Sequence, residues 1–264
     1  MIHIYNLKNY ELLSAFGTIG EGPGEFVSYW LIPTQLADFI VEDNDTFRRF
    51  GIDKEGAPIH KGAIQPKYVF DIIHSAFIND TLFAIDAGYV APDLHLVSMD
   101  DALPKKTKRI RDPNIKNFYH DPNWGFLHAN ASRIVYSYNF MKQIDFMDVD
   151  FNLIKQVTFN YSHPTHITQE SFPHTPLSYG QGYLGKRYFY VLFHGAPWQE
   201  YAKNPAYRSY LEVFDLNGNP VVRYLLDGAL PTYFVVDEET FTLYGTEDDG
   251  AHEDFLLMYR LKGL

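Results

Sequence analysis

The sequence predicts an all-β chain folded as a six-bladed β-propeller of four-stranded antiparallel blades, one domain over residues 1–264. Three observations carry this. A strand, a tight turn and a second strand recur at nearly constant spacing along the chain. The composition suits strands, with 20 Tyr and 21 Phe among 264 residues, because flat rings pack well on a pleated, half-buried surface. No stretch sustains the 3.6-residue apolar spacing of an amphipathic helix.

The recurring hairpin is clearest in "FRRFGIDKEGAPI", 47–59, and "LEVFDLNGNPVVRY", 211–224. Each reads as strand, Asp-x-x-Gly, strand. The Asp carboxylate can bond backbone amides ahead of it, and Gly supplies the positive φ that closes a tight turn. Weaker copies lie at "IHIYNLKNYELL", "LHLVSMDDALPKK", "IDFMDVDFNLIKQV" and "LLMYRLKGL". Their first turn positions, 6, 53, 98, 148, 215 and 260, are 47, 45, 50, 67 and 45 residues apart. About 45 residues is the length of a four-stranded propeller blade. Each gap holds two further β-rich runs, such as "FDIIHSAF" with "TLFAIDA", "GFLHANA" with "RIVYSYN", and "PTYFVVD" with "TFTLYGT".

With the strands of a blade lettered a to d from the axis outward, the hairpins are c–d pairs. The chain then opens in strand c of the first unit, and a six-bladed ring has an incomplete N-terminal blade. Its closure calls for about 40 residues upstream, one unit less the c–d pair plus a closing strand. A five-bladed ring closed by the N-terminal c–d pair, with a surplus strand at the other end, is the alternative.

The glycine-rich stretch "GTIGEGPGEF", 17–26, falls between strand d of the first unit and "YWLIPTQ". A dinucleotide fingerprint needs a strand before its glycines and a helix after them, and a P-loop needs its Lys and Ser/Thr. Neither is present, so the stretch reads as a structural turn between blades. The segment "IHIYNLKNYELLSAFGTIGEGPGEF", 2–26, in which a strand ending in Ala-Phe-Gly is followed by Gly-x-Gly-Pro-Gly-Glu-Phe, resembles the bacterial TolB-like six-bladed β-propeller family, and the hairpins extend the likeness over nearly the whole chain. The resemblance implies the propeller fold and no established reaction. Members of that family often begin with an export or lipoprotein signal, which implies the periplasm or cell envelope if a signal precedes this sequence. A start at Met1 would make the protein cytoplasmic.

Charge and composition narrow the partners. The net charge is −11, a repulsive background for nucleic acid. The one basic cluster, "PKKTKRIR" at 104–111, reads as the solvated face of an edge strand. With no cysteine, neither disulfides nor Cys-based metal sites can form. No apolar run reaches the ~18 residues of a membrane helix.

Connection lengths divide the two faces of the disc. The a–b and c–d turns are short and share one face; the d–a and b–c loops share the other and include 111–125, 160–180, 194–210 and 246–254. Long loops on a rigid scaffold are where binding usually resides, so the loop-rich face is the expected functional face. Trp198, Tyr201, Tyr207 and Tyr210, with Trp124, form either a platform for a protein or carbohydrate ligand or a cover for the end of a blade. His163, His166 and His174 lie close in sequence, and His74 and His128 occupy similar places on consecutive inner strands beside the channel residues Gln35 and Gln181. Such imidazoles either ligate a divalent ion, Ca or Zn, or are locally hydrogen-bonded structural groups. No Gly-x-Ser-x-Gly elbow is present. The expectation is a non-catalytic binding or scaffold module with no cofactor. The alternative is a metal-assisted hydrolase or lyase working at the channel mouth.

Overall fold

The computed structural model describes residues 2–264 apart from 21–24, 33, 35–37, 45, 66–71, 89–92, 99–102, 116, 161–163, 165, 198, 201–208, 228 and 247–255. The chain opens with the antiparallel pair β1 (Ile2–Tyr5) and β2 (Leu12–Phe16), then the short parallel pair β3 (Thr18–Ile19) and β4 (Glu25–Phe26). Radial sheets follow in sequence order. The first blade is β5 (Tyr29–Ile32), β6 (Phe39–Asp43), β7 (Thr46–Ile52) and β8 (Pro58–Ile64). The second is β9 (Ile72–Asn79), β10 (Leu82–Ala87), β11 (Asp93–Ser98) and β12 (Pro104–Arg109). The third is β13 (Gly125–Ala129), β14 (Ile134–Tyr138), β15 (Gln143–Met147) and β16 (Leu153–Thr158). The fourth is β17 (Pro176–Leu184), β18 (Tyr188–Pro197), β19 (Tyr210–Asp215) and β20 (Pro220–Leu225). The fifth has three strands among the described residues, β21 (Tyr233–Asp237), β22 (Thr242–Thr246) and β23 (Leu257–Arg260).

The hairpin turns form as their residues dictate. Asp53 Oδ1 accepts the N–H groups of Glu55 and Ala57 at 3.0 and 2.7 Å. Asp148 Oδ1 accepts those of Asp150 and Asn152, both at 2.9 Å. Asp215 Oδ1 accepts those of Asn217 and Asn219 at 2.8 and 2.9 Å, with Gly218 at φ 78°. One carboxylate thus satisfies two turn amides at each of these three hairpins, which is why the Asp recurs there while the flanking strands vary.

The core lies between blades. Phe47 of the first blade packs on Phe83 and Ile85 of the second, and Leu94 and Leu96 of the second face Leu127 and Tyr136 of the third. Val135 and Phe146 of the third meet Tyr179, Phe189 and Phe214 of the fourth, and Tyr190, Leu211 and Val213 of the fourth meet Phe234 and Leu243 of the fifth. Strand alternation places one set of side chains towards each neighbour, so every blade contributes to two interfaces.

The six-bladed count is corrected to five. The first turn position, Asn6, belongs to the β1–β2 hairpin, which forms a sheet of its own and adds no inner strand. The five inner strands close instead where Trp30 on β5 meets Tyr233 on β21, with ring centroids 6.1 Å apart. The number of blades is that of the five-bladed alternative, but the N-terminal pair stays a separate sheet and β23 is no surplus strand, since it pairs with β22 in the fifth blade. The N-terminal pair bridges the fifth and first blades through side chains: Tyr10 Oη donates to Met258 Sδ at 3.5 Å on one flank, and Ser14 Oγ donates to the Gly56 carbonyl at 2.7 Å on the other. Ile2 completes the attachment in an apolar cluster with Phe26, Val41 and Phe50.

The described part of the glycine stretch is structural, as its sequence suggests. Gly17 has φ 79°, and a Cβ there would lie 2.3 Å from the ring of the fully buried Phe26. Arg48 covers that ring, its Cζ 5.4 Å from the centroid, and Nη1 donates to the Glu25 carbonyl at 3.2 Å. Residues 104–109 of the basic cluster become β12, the outer edge of the second blade, with Lys105, Lys106 and Arg109 exposed, whereas Arg111 lies beyond the strand and is buried against Asp86, not solvated as its sequence suggests. Charged side chains on a free edge oppose pairing with another sheet.

Candidate functional site at the channel mouth

Short a–b turns surround one end of the central channel, and side chains hold those of the second to fifth blades. Asn79 Oδ1 accepts the N–H groups of Thr81 and Leu82 at 2.9 and 3.0 Å. Asn130 Oδ1 accepts those of Ser132 and Arg133 at 2.8 and 2.9 Å, while its Nδ2 donates to the Gly185 carbonyl of the fourth blade at 2.7 Å. Asp237 Oδ1 accepts the Glu239 N–H at 2.9 Å. The Glu238 carboxylate, one-tenth exposed, reaches back from the fifth blade and accepts the N–H groups of Lys186, Arg187 and Tyr188 at about 3.0 Å. The third, fourth and fifth blades are therefore laced together at this end of the channel.

Two concavities open inside that ring. An inner chamber of about 150 Å³ is lined by Ser75 and Ala76 of β9, Leu127 and His128 of β13, and Gly182 and Tyr183 of β17, with Asn79 and Asn130 at its rim. An outer depression of about 660 Å³ shares Thr34 and Tyr183 with it and is bounded by Lys186, Arg187, Asp237, Glu238 and Glu239. Together they make a funnel with a charged mouth and a narrow floor. Gly182 keeps the floor open, because a Cβ there would lie 3.1 Å from His128 Cε1.

His128 is buried on that floor, against Phe189 at a centroid distance of 5.0 Å and with Nε2 3.4 Å from Ser137 Oγ. Burial, with a smaller contribution from His74, lowers its pKa to about 3, so the imidazole is neutral at physiological pH. His74 faces Phe126 at 5.1 Å, and its Nδ1 lies 3.4 Å from Asp86 Oδ2. Asp86, itself buried, is paired with the buried Arg111, whose Nη1 also donates to the Ala87 carbonyl at 2.8 Å. Burial opposes the Arg111 charge and Asp86 outweighs it, holding the guanidinium above its ordinary pKa. Ser75 donates to the buried Glu42 carboxylate on β6, across the first interface.

The residues singled out in the sequence are placed as follows. His74 and His128 are electrostatic neighbours, but each packs on a different ring, and only His128 lines the chamber. His166 and His174 are exposed on the connection between β16 and β17, away from the channel mouth. Gln181 is half-buried on β17, where the pairing with β18 shifts register between Tyr179 and Gly182. Tyr210 begins β19, and the Arg223 guanidinium lies 3.6 Å over its ring, so packing engages one face of that ring. Trp124 is wedged among Tyr119, Phe126 and Phe140. Gln35, His163, Trp198, Tyr201 and Tyr207 lie outside the described residues. Among the described residues no three His, Asp or Glu side chains converge at metal-binding distance, and no helix is long and apolar enough to cross a membrane.

The loop-rich face does carry a depression. It measures about 410 Å³ and is lined by Asn117, Tyr119, His120, Gln169 and Phe172, beside Trp124. The larger opening lies on the opposite face, which sequence reasoning passed over because each a–b turn is only a few residues long. The available signal was the turn residues themselves, Asn79, Asn130 and the "DEE" at 237–239, set beside the "GKR" at 185–187.

A family model described as TolB-like 6-blade propeller-like matches residues 1–239. No curated protein sequence matches the chain. Among solved structures, a member of the DUF4221 family from Bacteroides vulgatus superposes with a TM-score of 0.57 at 13% identity, covering 98% of this chain and 86% of that one. The structure of a nidogen/laminin complex gives 0.49 at 12% identity over 82% of this chain and 71% of that one. BamB from Moraxella catarrhalis gives 0.42 at 11% identity, over 88% and 71% respectively. At these identities the likeness is one of fold.

Proposed function

The chain belongs to the TolB-like 6-blade propeller-like family, and on that premise we propose that it is a non-catalytic binding module whose ligand seats in the channel mouth on the short-turn face. The observation that supports this reading is the preorganised rim. Glu238 and Asn130 fix the turns around the funnel before any ligand arrives, and a rigid concavity spares a ligand the ordering cost. The exposed Lys186 and Glu239 give the rim opposite charges over the outer depression, so the ligand we infer is polar or zwitterionic, a protein segment or a carbohydrate of modest size. We infer a place in the periplasm or cell envelope if an export signal precedes this sequence, and in the cytoplasm if Met1 is the start; fractionation of the native host tests it.

Thermal unfolding tests the proposal directly. The protein is scanned with oligosaccharides, short peptides, amino acids and divalent ions; a ligand at about 100 times its Kd adds ~2.7 kcal/mol of stability. The expected result is a rise in midpoint that disappears in Lys186→Ala or Glu239→Ala. A rise that survives both but is lost in Tyr119→Ala moves the site to the loop-rich face and overturns this one. A rise specific to Zn²⁺ or Ca²⁺ and lost in His74→Ala would favour the metal-assisted hydrolase, for which the His74–Asp86 contact is the supporting observation.

A further inference from the structure

The inner chamber differs in chemistry between its rim and its floor. Ala76, Leu127 and Leu184 give it apolar walls. The polar groups at its edge are already engaged: Asn79 and Asn130 use their carbonyl oxygens on their own turns, and Ser75 gives its hydroxyl proton to the buried Glu42. His128 on the floor is only 8% exposed, and its Nε2 meets Ser137 Oγ at 3.4 Å. Its Nδ1 bonds no group among the described residues, yet it is not one of the fully buried polar atoms left without a partner. That nitrogen therefore opens to the chamber that His128 lines. A cavity of about 150 Å³ admits benzene, so the chamber, of about 150 Å³, has room for one six-membered ring.

We propose that the chamber is a subsite for a phenol, a flat ring carrying one hydroxyl, with the ring between the apolar walls and the hydroxyl bonded to His128 Nδ1. The inference rests on the seating of a ligand in the channel mouth and names the part of that ligand that goes deepest. A hydroxyl suits this nitrogen in either tautomer. If His128 donates from Nε2 to Ser137, Nδ1 accepts the phenol O–H; if Ser137 donates to Nε2, Nδ1 donates to the phenol oxygen. A charged group finds no partner there, because the imidazole is neutral at physiological pH and the Glu42 carboxylate behind Ser75 repels an anion. A monosaccharide has a similar volume, but its further hydroxyls would be stranded against Ala76, Leu127 and Leu184, each at a desolvation cost. The Tyr183 hydroxyl does not relieve this, since the Asp237 and Glu238 carboxylates act on it and so place it at the mouth. A substituent opposite the phenol hydroxyl leads out to Lys186 and Glu239, where either a small polar group or a peptide backbone can lie.

Nitrogen NMR of the full chain, labelled at histidine, tests this without any substitution. The protein is titrated with p-cresol, toluene and methyl glucoside, and then with the peptide acetyl-Lys-Tyr-Glu-amide. The expected result is a shift of the His128 Nδ1 resonance with p-cresol, and binding about tenfold tighter than that of toluene, the worth of one neutral hydrogen bond. In His128→Leu the two should bind alike. A peptide that binds more tightly than p-cresol, and loses that gain in Lys186→Ala or Glu239→Ala, identifies the phenol as a tyrosine side chain; one that binds no more tightly identifies it as a free small molecule. Equal binding of p-cresol and toluene to the wild type, or tighter binding of methyl glucoside with the same Nδ1 shift, overturns the phenol and leaves the channel mouth as the site. A resonance unmoved by every probe also overturns it. Whether the channel-mouth reading falls too is then decided by Lys186→Ala and Glu239→Ala in the ligand scan, because neither residue lines the chamber.

Discussion

At the scale of single residues, two positions concentrate conformational and electrostatic cost. Gly17 combines a left-handed backbone with a Cβ position already filled by the Phe26 ring. Gly17→Ala is expected to destabilise the protein by about 2–4 kcal/mol, part from backbone strain and part from displacing a fully buried aromatic; urea unfolding measures it. His128 adds a dependence on pH. Its folded pKa is depressed to about 3 against an ordinary value of 6.5, so between these limits the unfolded chain binds a proton that the folded chain refuses. Stability therefore falls as pH drops from 6.5 towards 3, by about 1.4 kcal/mol per pH unit for this one group. His194, whose burial lowers its pKa to about 4, adds to the same limb down to that pH. Between pH 6.5 and 4.5 the unfolding midpoint of His128→Leu should decline less steeply than that of the wild type. Parallel slopes would show that the imidazole is already solvated in the folded state.

At the scale of elements, the blades are joined by buried polar contacts as well as by apolar packing. Glu238 is one such joint, since a single carboxylate satisfies three backbone amides of the neighbouring turn. Hydrogen bonds to a charged acceptor are worth about 1.5–3 kcal/mol each when lost without replacement, and solvent recovers part of that at an exposed turn. Glu238→Ala should cost about 2–3 kcal/mol and speed amide exchange at 186–188, while leaving the strands of the fourth blade protected. The Asp86–Arg111 pair behaves differently because both partners are buried. Arg111→Leu strands the Asp86 carboxylate and should cost about 3–5 kcal/mol, whereas Asp86→Leu combined with Arg111→Leu should recover most of the loss. A double mutant no better than the single would place the cost in the hydrogen bond that Arg111 also makes with the buried Tyr136, and not in the orphaned charge. The hairpins at Asp53, Asp148 and Asp215 were legible because each depends on a local pair, Asp at the first turn position and Gly or Asn near its end. It hid Asp86, Arg111 and Glu238, since a lone Asp in a strand or a Glu in a turn carries no mark of a partner in another element.

At the scale of the whole molecule, the propeller could be read from spacing, but the number of its blades could not. Periodicity counts units along the chain. Closure is decided by contacts between residues some two hundred positions apart, as at Trp30 and Tyr233, and by whether a hairpin such as β1–β2 contributes an inner strand. The channel-mouth funnel was hidden for a related reason: no single segment holds it, since Thr34, Asn79, Asn130, Lys186 and Glu238 come from five connections spread across the chain. Loop length pointed to the opposite face because it measures local excess, whereas the funnel is made by convergence.

The Trp30–Tyr233 contact also bears on how the molecule assembles. Every other junction between blades joins neighbours in sequence and can form as soon as both are made. This one must wait until the chain has come full circle, and its loop-closure entropy is met only then. The seam should be the last junction to gain protection during refolding and the first to lose it under denaturant, so that the molecule opens as a split ring while its remaining interfaces are still intact.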